Sequence, residues 1–439
     1  LTLRERDRVF FENFVQGIRL RELIAQDAAQ LDNESQRNIR LNAKLFLDKL
    51  EQKFGDDSEG LTKFGGFLVQ CCFLVAVSTP SQQSAFRVFS VLNSRGLDLL
   101  PTDIIKSDII GNIKSPDKQD DVTERWEELE VQTGRDGFAE LFGHIRMIFA
   151  KEKARRTLLE EFREQVIKKY ESPETLMSTV VEPFAEAYLI AKKCQYLSTT
   201  NAADVNALLK WLNRIENSDW LPSAIKFLAT QGKNADYVLW FFRKLERLAS
   251  FMHICGYDVN QRIERYASVL AALEGAHSME SPISAVQLTD EEKSKMLQVV
   301  DGDIYLMTAR RRNHLLLRLD AFVGDGAATY DNGLLTIEHV LPQTVDLASD
   351  WQKLWPDEAL RQRWVHRLAN LVPLTQKRNS QAQNYDFDKK KSAYFGGKHG
   401  VSSYVLTTQV LNASNWTPAV VEQRQSDLID VLAARWDLK

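Results

Sequence analysis

The chain has 439 residues, 44% of them hydrophobic and 26% charged, which is too long for one ordinary core and suits two or three domains at roughly 100–200 residues each. Its formal charge of −4 speaks against a protein coated in nucleic acid, and no apolar run approaches the roughly 20 residues of a membrane span. The cysteines, Cys71, Cys72, Cys194 and Cys255, include no Cys-x-x-Cys pair, so they supply neither a zinc ribbon nor a disulfide framework and fit a reducing cytoplasm.

The opening Leu-Thr-Leu-Arg-Glu-Arg is charged, unlike a signal peptide, and lacks a first Met; the expectation is a fragment of a longer chain. Apolar residues then recur three and four apart in Phe10–Ile24 and Ala43–Phe54, predicting helices with charged outer faces. Phe67–Val77, the most apolar stretch, predicts a buried helix. From Phe86 an apolar helix runs into a polar Asn93-Ser94-Arg95 loop, where Gly96 permits a left-handed turn. Thr102 is expected to cap the next helix, with Asp103 in its first turn. Asn93 and Arg95 suit either a phosphate or nucleotide contact or a plain helix-capping loop.

Ser115-Pro116-Asp117 is expected to end a helical block. Glu160–Tyr170, Ala207–Ile215 and Asp236–His253 have helical periodicity. The dense aromatic face of Asp236–His253 reads as core and not as a stacking platform. Ser172 and Pro173 suit the N-cap and first position of another helix. The polar stretch Gly275–Pro282 reads as a linker between domains. Thr289-Asp-Glu-Glu begins a helix with acids at its positive end. Leu315–Val323 is apolar, and Gly324-Asp325-Gly326 is a turn. Leu334–Leu341 is β-rich and stops at Pro342. Thr417 and Pro418 open a final helix running to Trp436. No repeat or low-complexity segment interrupts the chain. The fold class is therefore mainly α and multi-domain, divided at 1–125, 126–275 and 276–439.

Three pieces near the C-terminus stand in order: Ile337-Glu338-His339-Val340-Leu341-Pro342-Gln343, then Leu368-Ala369-Asn370-Leu371, then Lys377-Arg378-Asn379-Ser380. Asn370 follows His339 by 31 residues and Asn379 follows Asn370 by nine. A histidine at a strand end is by itself more often structural than catalytic. This His…Asn…Asn order, however, resembles the HNH, or ββα-metal, nuclease motif. Phosphodiester hydrolysis needs a base near neutral pH, which imidazole provides, and a cation to stabilise the phosphate and leaving oxygen. Hard cations prefer oxygen ligands. The motif implies His339 as general base, Asn379 as metal ligand, Asn370 as the residue that fixes the loop and orients His339, and Glu338 as second metal ligand. Alternation along a strand sends Glu338 and His339 to opposite faces unless the strand twists or ends there.

Thr336–Gln343, Leu368–Thr375, Asn379, Asn384, Phe387, Lys390 and Tyr394, with Trp416-Thr417-Pro418, Arg424 and Trp436, are similar to the HNH domain of GmrSD-type restriction proteins over roughly 290–439. Phe86–Leu97 followed by Thr102-Asp103 resembles the later part of the ParB/sulfiredoxin-like domain of the same family. That family's Asp-Gly-Gln-Gln-Arg motif is absent, so nucleotide binding is implied only for a full-length protein. The resemblance implies a small ββα-metal motif within the helical fold, a divalent cation (Mg²⁺ or Mn²⁺) and DNA, particularly modified phage DNA, as the partner in the cytoplasm. It leaves oligomeric state open and offers no membrane.

Between Arg361 and Gly400 nine Lys or Arg face two Asp, which reads as a polyanion-facing surface or a solvated loop face. Lys377, Arg378, Lys389, Lys390 and Lys391 are the candidates for backbone phosphate contacts. The function expected is a metal-dependent DNA endonuclease of a modification-dependent restriction system. The alternatives are a decayed DNA-binding or regulatory subunit and a helical scaffold of a defence complex.

Overall fold

The computed structural model describes residues 5–31, 33–73, 100–324, 335–375, 385–395 and 404–439. Helices dominate, and the described strands form a single two-stranded sheet. No described helix is long and apolar enough to cross a membrane. Two compact units emerge, one of residues 1–149 with 154–185, the other of residues 150–153 with 186–439.

The first unit is held by an aromatic cluster. Trp126 meets Phe138 edge-on at 5.2 Å, and Phe142 lies 5.1 Å from Phe138 and 5.0 Å from Phe162. Beside it the carboxylate of Glu161 is buried, paired with Arg146, and accepts backbone N–H groups from Arg155 (2.7 Å) and Arg156 (2.8 Å). Hydrogen bonds of that kind are what make a buried carboxylate tolerable.

Several expected helices are here with different boundaries. Phe10–Ile24 is not one helix: it breaks into Glu5–Phe11, a π-turn at Glu12–Gln16 and Leu20–Ala25. Gly17 sits where a Cβ would meet the Asn13 carbonyl oxygen at 2.5 Å, and Ile18 has a φ of 57°. Ser115-Pro116 does not end a helix but starts one, with Pro116 at the first turn of Pro116–Thr133; the preceding helix stops at Ile110. Thr102 is inside its helix, since Pro101 takes the first position and Asp103 accepts the Leu100 N–H at 2.9 Å. In helix Ser58–Cys71 the apolar side chains of Phe67, Leu68 and Val69 are exposed, contrary to a buried helix. Ser172 does cap Pro173–Leu176, accepting from Thr175 N.

In the second unit, helix Ala235–Ile254 forms the spine. Its aromatic face is core: Phe241 stacks on Phe227 at 3.8 Å, and Tyr237, Phe242 and Phe251 are buried. Helices Ala202–Asn213 and Ala309–Val323 pack against it. A buried polar knot ties the packing down. Glu246 accepts from Arg318 Nε (2.8 Å), Ser250 Oγ (3.2 Å) and Trp436 Nε1 (3.1 Å), so the spine, helix Ala309–Val323 and the C-terminal end share one carboxylate.

Upon this scaffold rests the sheet. Strand β1 (Leu335–His339) pairs antiparallel with β2 (Leu371–Thr375), in a register that sets His339 opposite Leu371 and Ile337 opposite Pro373. Among the described strands both are edges, a setting that accommodates Pro373. The 31-residue excursion between paired residues His339 and Leu371 carries three tryptophans. Trp351, Trp355 and Trp364 pack with Val340, Leu341, Phe387 and Trp416 into a local core beneath the sheet. Their indoles remain hydrogen-bonded: Trp351 Nε1 donates to Tyr385 O (2.9 Å) and Trp355 Nε1 to Trp416 O (2.6 Å). Helix Phe387–Phe395 follows β2 in chain order. The final helix, Pro418–Arg435, is capped by Thr417 as its sequence foretells.

Candidate active site around His339

Burial along β1 alternates at its end, with Ile337 and His339 inward and Glu338 between them on the other face. Adjacent residues of a strand must diverge in this way. His339, the last residue of the strand, is only 6% exposed. Its Nε2 lies 3.3 Å from His366 Nδ1, and its Nδ1 lies 3.3 Å from the amide nitrogen of Gln343. Tyr305 covers the ring at a centroid distance of 4.1 Å. Burial, and then the neighbouring His366, Lys390 and Arg312, push the His339 imidazole down to about 3. It is therefore neutral at neutral pH, with one nitrogen free to accept a proton.

Asn370 is fully buried beside the turn that leaves β1. Its Oδ1 accepts from Leu341 N (2.7 Å) and Trp416 Nε1 (3.1 Å), and its Nδ2 donates to Leu341 O (3.0 Å) and Val365 O (2.9 Å). Its own carbonyl accepts from Val340 N at 2.9 Å. All of the side chain's hydrogen-bonding capacity in this arrangement is spent on the loop after His339 and on the local core. Gln425 of the final helix continues the bracing, accepting from Ala369 N (2.8 Å) and donating to Asp301 (2.8 Å).

Glu338 does not share a space with the imidazole. Its carboxylate receives Lys390 Nζ at 2.7 Å, and the same ammonium donates to the His339 carbonyl at 2.6 Å. Burial raises the Glu338 carboxyl above the ordinary range, with Lys390 opposing the shift. Burial likewise lowers the Lys390 ammonium, against Glu338.

Lys390 is 1% exposed. It is thus an internal tether of the strand end, and the phosphate contact expected of it is corrected on that ground: a DNA backbone does not reach a buried ammonium already paired. Lys389 on the same helix is exposed, with Nζ 3.6 Å from the Tyr385 ring centroid. Lys391 bonds Ala413 O at 3.0 Å. Lys377, Arg378 and Asn379, like Asn93 and Arg95, lie outside the described residues.

A divalent ion finds little among the described donors. No group of three or more His, Cys, Asp or Glu could hold a metal among the described residues. Glu338 is neutralised by Lys390, and Asn370 has no spare donor or acceptor aimed at Glu338. These residues alone do not fit a divalent cation.

Residues 290–431 match the family model of GmrSD restriction endonucleases, C-terminal domain. The C-terminal region is thus of the GmrSD restriction-endonuclease type, which points to a nuclease with DNA as substrate. The matched span contains Tyr305, Arg312, Glu338, His339, Gln343, His366, Asn370, Lys390 and Trp416. No curated protein matches the chain.

Sequence reasoning missed His366, Tyr305, Arg312 and Gln343. Gln343 was in plain view four residues after His339, the spacing that lets a chain turning at Pro342 fold back on the ring. His366 stands four residues before Asn370 and is the one other histidine in the stretch between β1 and β2. Tyr305 gave no local signal, because it reaches the ring from a separate one-turn helix, Ile304–Leu306.

Proposed function

We propose that this protein is a DNA endonuclease whose C-terminal region hydrolyses phosphodiester bonds with His339 as general base. The observation that carries this reading is a buried, neutral imidazole, set at a strand end by Asn370 and Lys390, within a segment of restriction-endonuclease type. Neutrality leaves Nδ1 able to take a proton from water, and its neighbour there, Gln343, is exposed and easily displaced. The cost of charging the ring falls when a phosphodiester arrives, because the anion offsets Lys390, Arg312 and the low-dielectric surroundings.

Asn370 acts on the loop and not on substrate, and Lys389 and Lys391 are proposed to meet backbone phosphates together with Lys377 and Arg378. By family resemblance, the proposal extends to an HNH-type site with Mg²⁺ or Mn²⁺, to Glu338 and Asn379 as ligands, to modified phage DNA as target, and to defence as the role. Use of Glu338 for a metal would require Lys390 to leave it.

That pairing favours a second reading, a DNA-binding subunit that does not cut. Plasmid cleavage with Mg²⁺ or Mn²⁺, on modified and unmodified DNA, separates the two. Nicking or linearisation by the wild type, lost in His339→Ala with DNA binding kept, supports the nuclease. Equal cutting by His339→Ala removes His339 from the base role. DNA binding without cleavage under either metal favours the non-cutting subunit.

A further inference from the structure

The two nitrogens of His339 face different partners, and the difference is chemically directional. A neutral imidazole carries one donor and one acceptor nitrogen. The Gln343 amide nitrogen can only donate, and it lies 3.3 Å from Nδ1. With that nitrogen toward the ring, the contact fits the tautomer with its lone pair on Nδ1 and its proton on Nε2. In that tautomer the proton points at His366 Nδ1, also 3.3 Å away, which is placed to accept it.

His366 is not loosely placed. It follows helix Glu358–Val365 as its C-cap. Its carbonyl accepts the Tyr305 N–H at 3.1 Å, and the Tyr305 ring stacks on its imidazole at 5.6 Å and 11°. Arg312 in turn holds Tyr305, donating to its carbonyl at 2.6 Å with the guanidinium 4.4 Å from the ring centroid.

We propose that His366 is the positioning residue of His339: by accepting the Nε2 proton it fixes the tautomer in which Nδ1, on the side of the exposed Gln343, is the bare nitrogen. The inference rests on the reading of His339 as general base and adds what selects its reactive atom. The tautomer of an imidazole is set by the hydrogen bond its other nitrogen makes, and a base presenting an N–H to water would be inert. A histidine in this position offers an acceptor without adding the negative charge that a carboxylate would bring near substrate phosphate.

The test uses the full chain with ¹⁵N-labelled histidine side chains, the His339 signals being assigned by their loss in His339→Gln. In the wild type, His339 should show its proton on Nε2. His366→Leu should give a mixture of tautomers, with kcat for DNA cleavage down ~10–100-fold, the usual range for a lost orienting partner, and KM little changed. His366→Asn, whose side-chain carbonyl can accept, should restore the single tautomer and part of the rate. A wild-type proton on Nδ1, or an unaltered tautomer in His366→Leu, overturns the proposal. The spectra decide this even if the wild type cuts nothing, an outcome that would count only against the nuclease reading.

Discussion

Replacing Asn370 with alanine removes one side chain and leaves four polar groups to account for. The N–H of Leu341 and the indole N–H of Trp416 lose their acceptor, and the carbonyls of Leu341 and Val365 lose a donor. Leu341 is fully buried and Trp416 nearly so, so water cannot substitute. Each orphaned buried donor costs about 1–3 kcal/mol; with the weaker loss at two carbonyls, Asn370→Ala should cost roughly 3–6 kcal/mol. That is a large fraction of a typical stability of about 5–15 kcal/mol. Urea unfolding followed by tryptophan fluorescence reads it directly, because four tryptophans surround the site. Asn370→Asp should also destabilise: it keeps both acceptor bonds but turns a carboxylate oxygen toward two carbonyls, and its defect should deepen as pH rises and the carboxyl ionises. A loss below about 1 kcal/mol for Asn370→Ala would mean that these hydrogen bonds are replaceable and that Asn370 does not hold the loop after His339.

Other outcomes follow from the same geometry. Lys389→Ala should lower the log–log salt slope of DNA binding by about 0.9, one phosphate contact, whereas Lys390→Ala should leave the slope alone and lower the unfolding midpoint by orphaning the half-buried Glu338; equal slope changes in both would refute the assignment. Burial, then the neighbouring His253, Arg318 and Arg214, push His314 down to about 3. A histidine depressed in the folded state contributes stability that is complete above its unfolded value of about 6.5 and is lost as pH falls toward 3. Urea midpoints should therefore decline across that window, and less steeply in His314→Gln; an unchanged acid limb would show that His314 titrates normally. Trp355→Ala should cost about 3–5 kcal/mol, the usual range for a large buried aromatic, and cutting should fall with it if the local core supports the site.

The helical character and most helices were legible because periodicity survives any tertiary detail, as at Asp236–His253. Phe10–Ile24 failed because its apolar pattern runs through Gly17, where the backbone approaches too closely for a side chain. Leu368-Ala369-Asn370-Leu371 drew attention only through its place in an ordered series of positions similar to one family, because Leu, Ala and Asn are ordinary residues taken singly. Lys390 was misread because a run of three lysines looks like a solvated face. The sequence did contain the correction, since Lys390 lies three residues after Phe387 on the helix and so shares its buried side. Tyr305 and Arg312 could not be read at all: they reach His339 through tertiary packing, with no local pattern that names the destination.

The bracing of Ala369 and Asn370 by Gln425 and Trp416 has a meaning during synthesis. His339 leaves the ribosome 86 residues before Gln425, an interval of about 4–17 s at 5–20 residues per second. Throughout that time the strand can exist while the indole and amide that lock its neighbouring loop have not been made. Until the closing helix arrives the imidazole stands without that brace, and a message broken between His339 and Trp416 yields a product that has the histidine but neither the indole nor the amide that lock its loop.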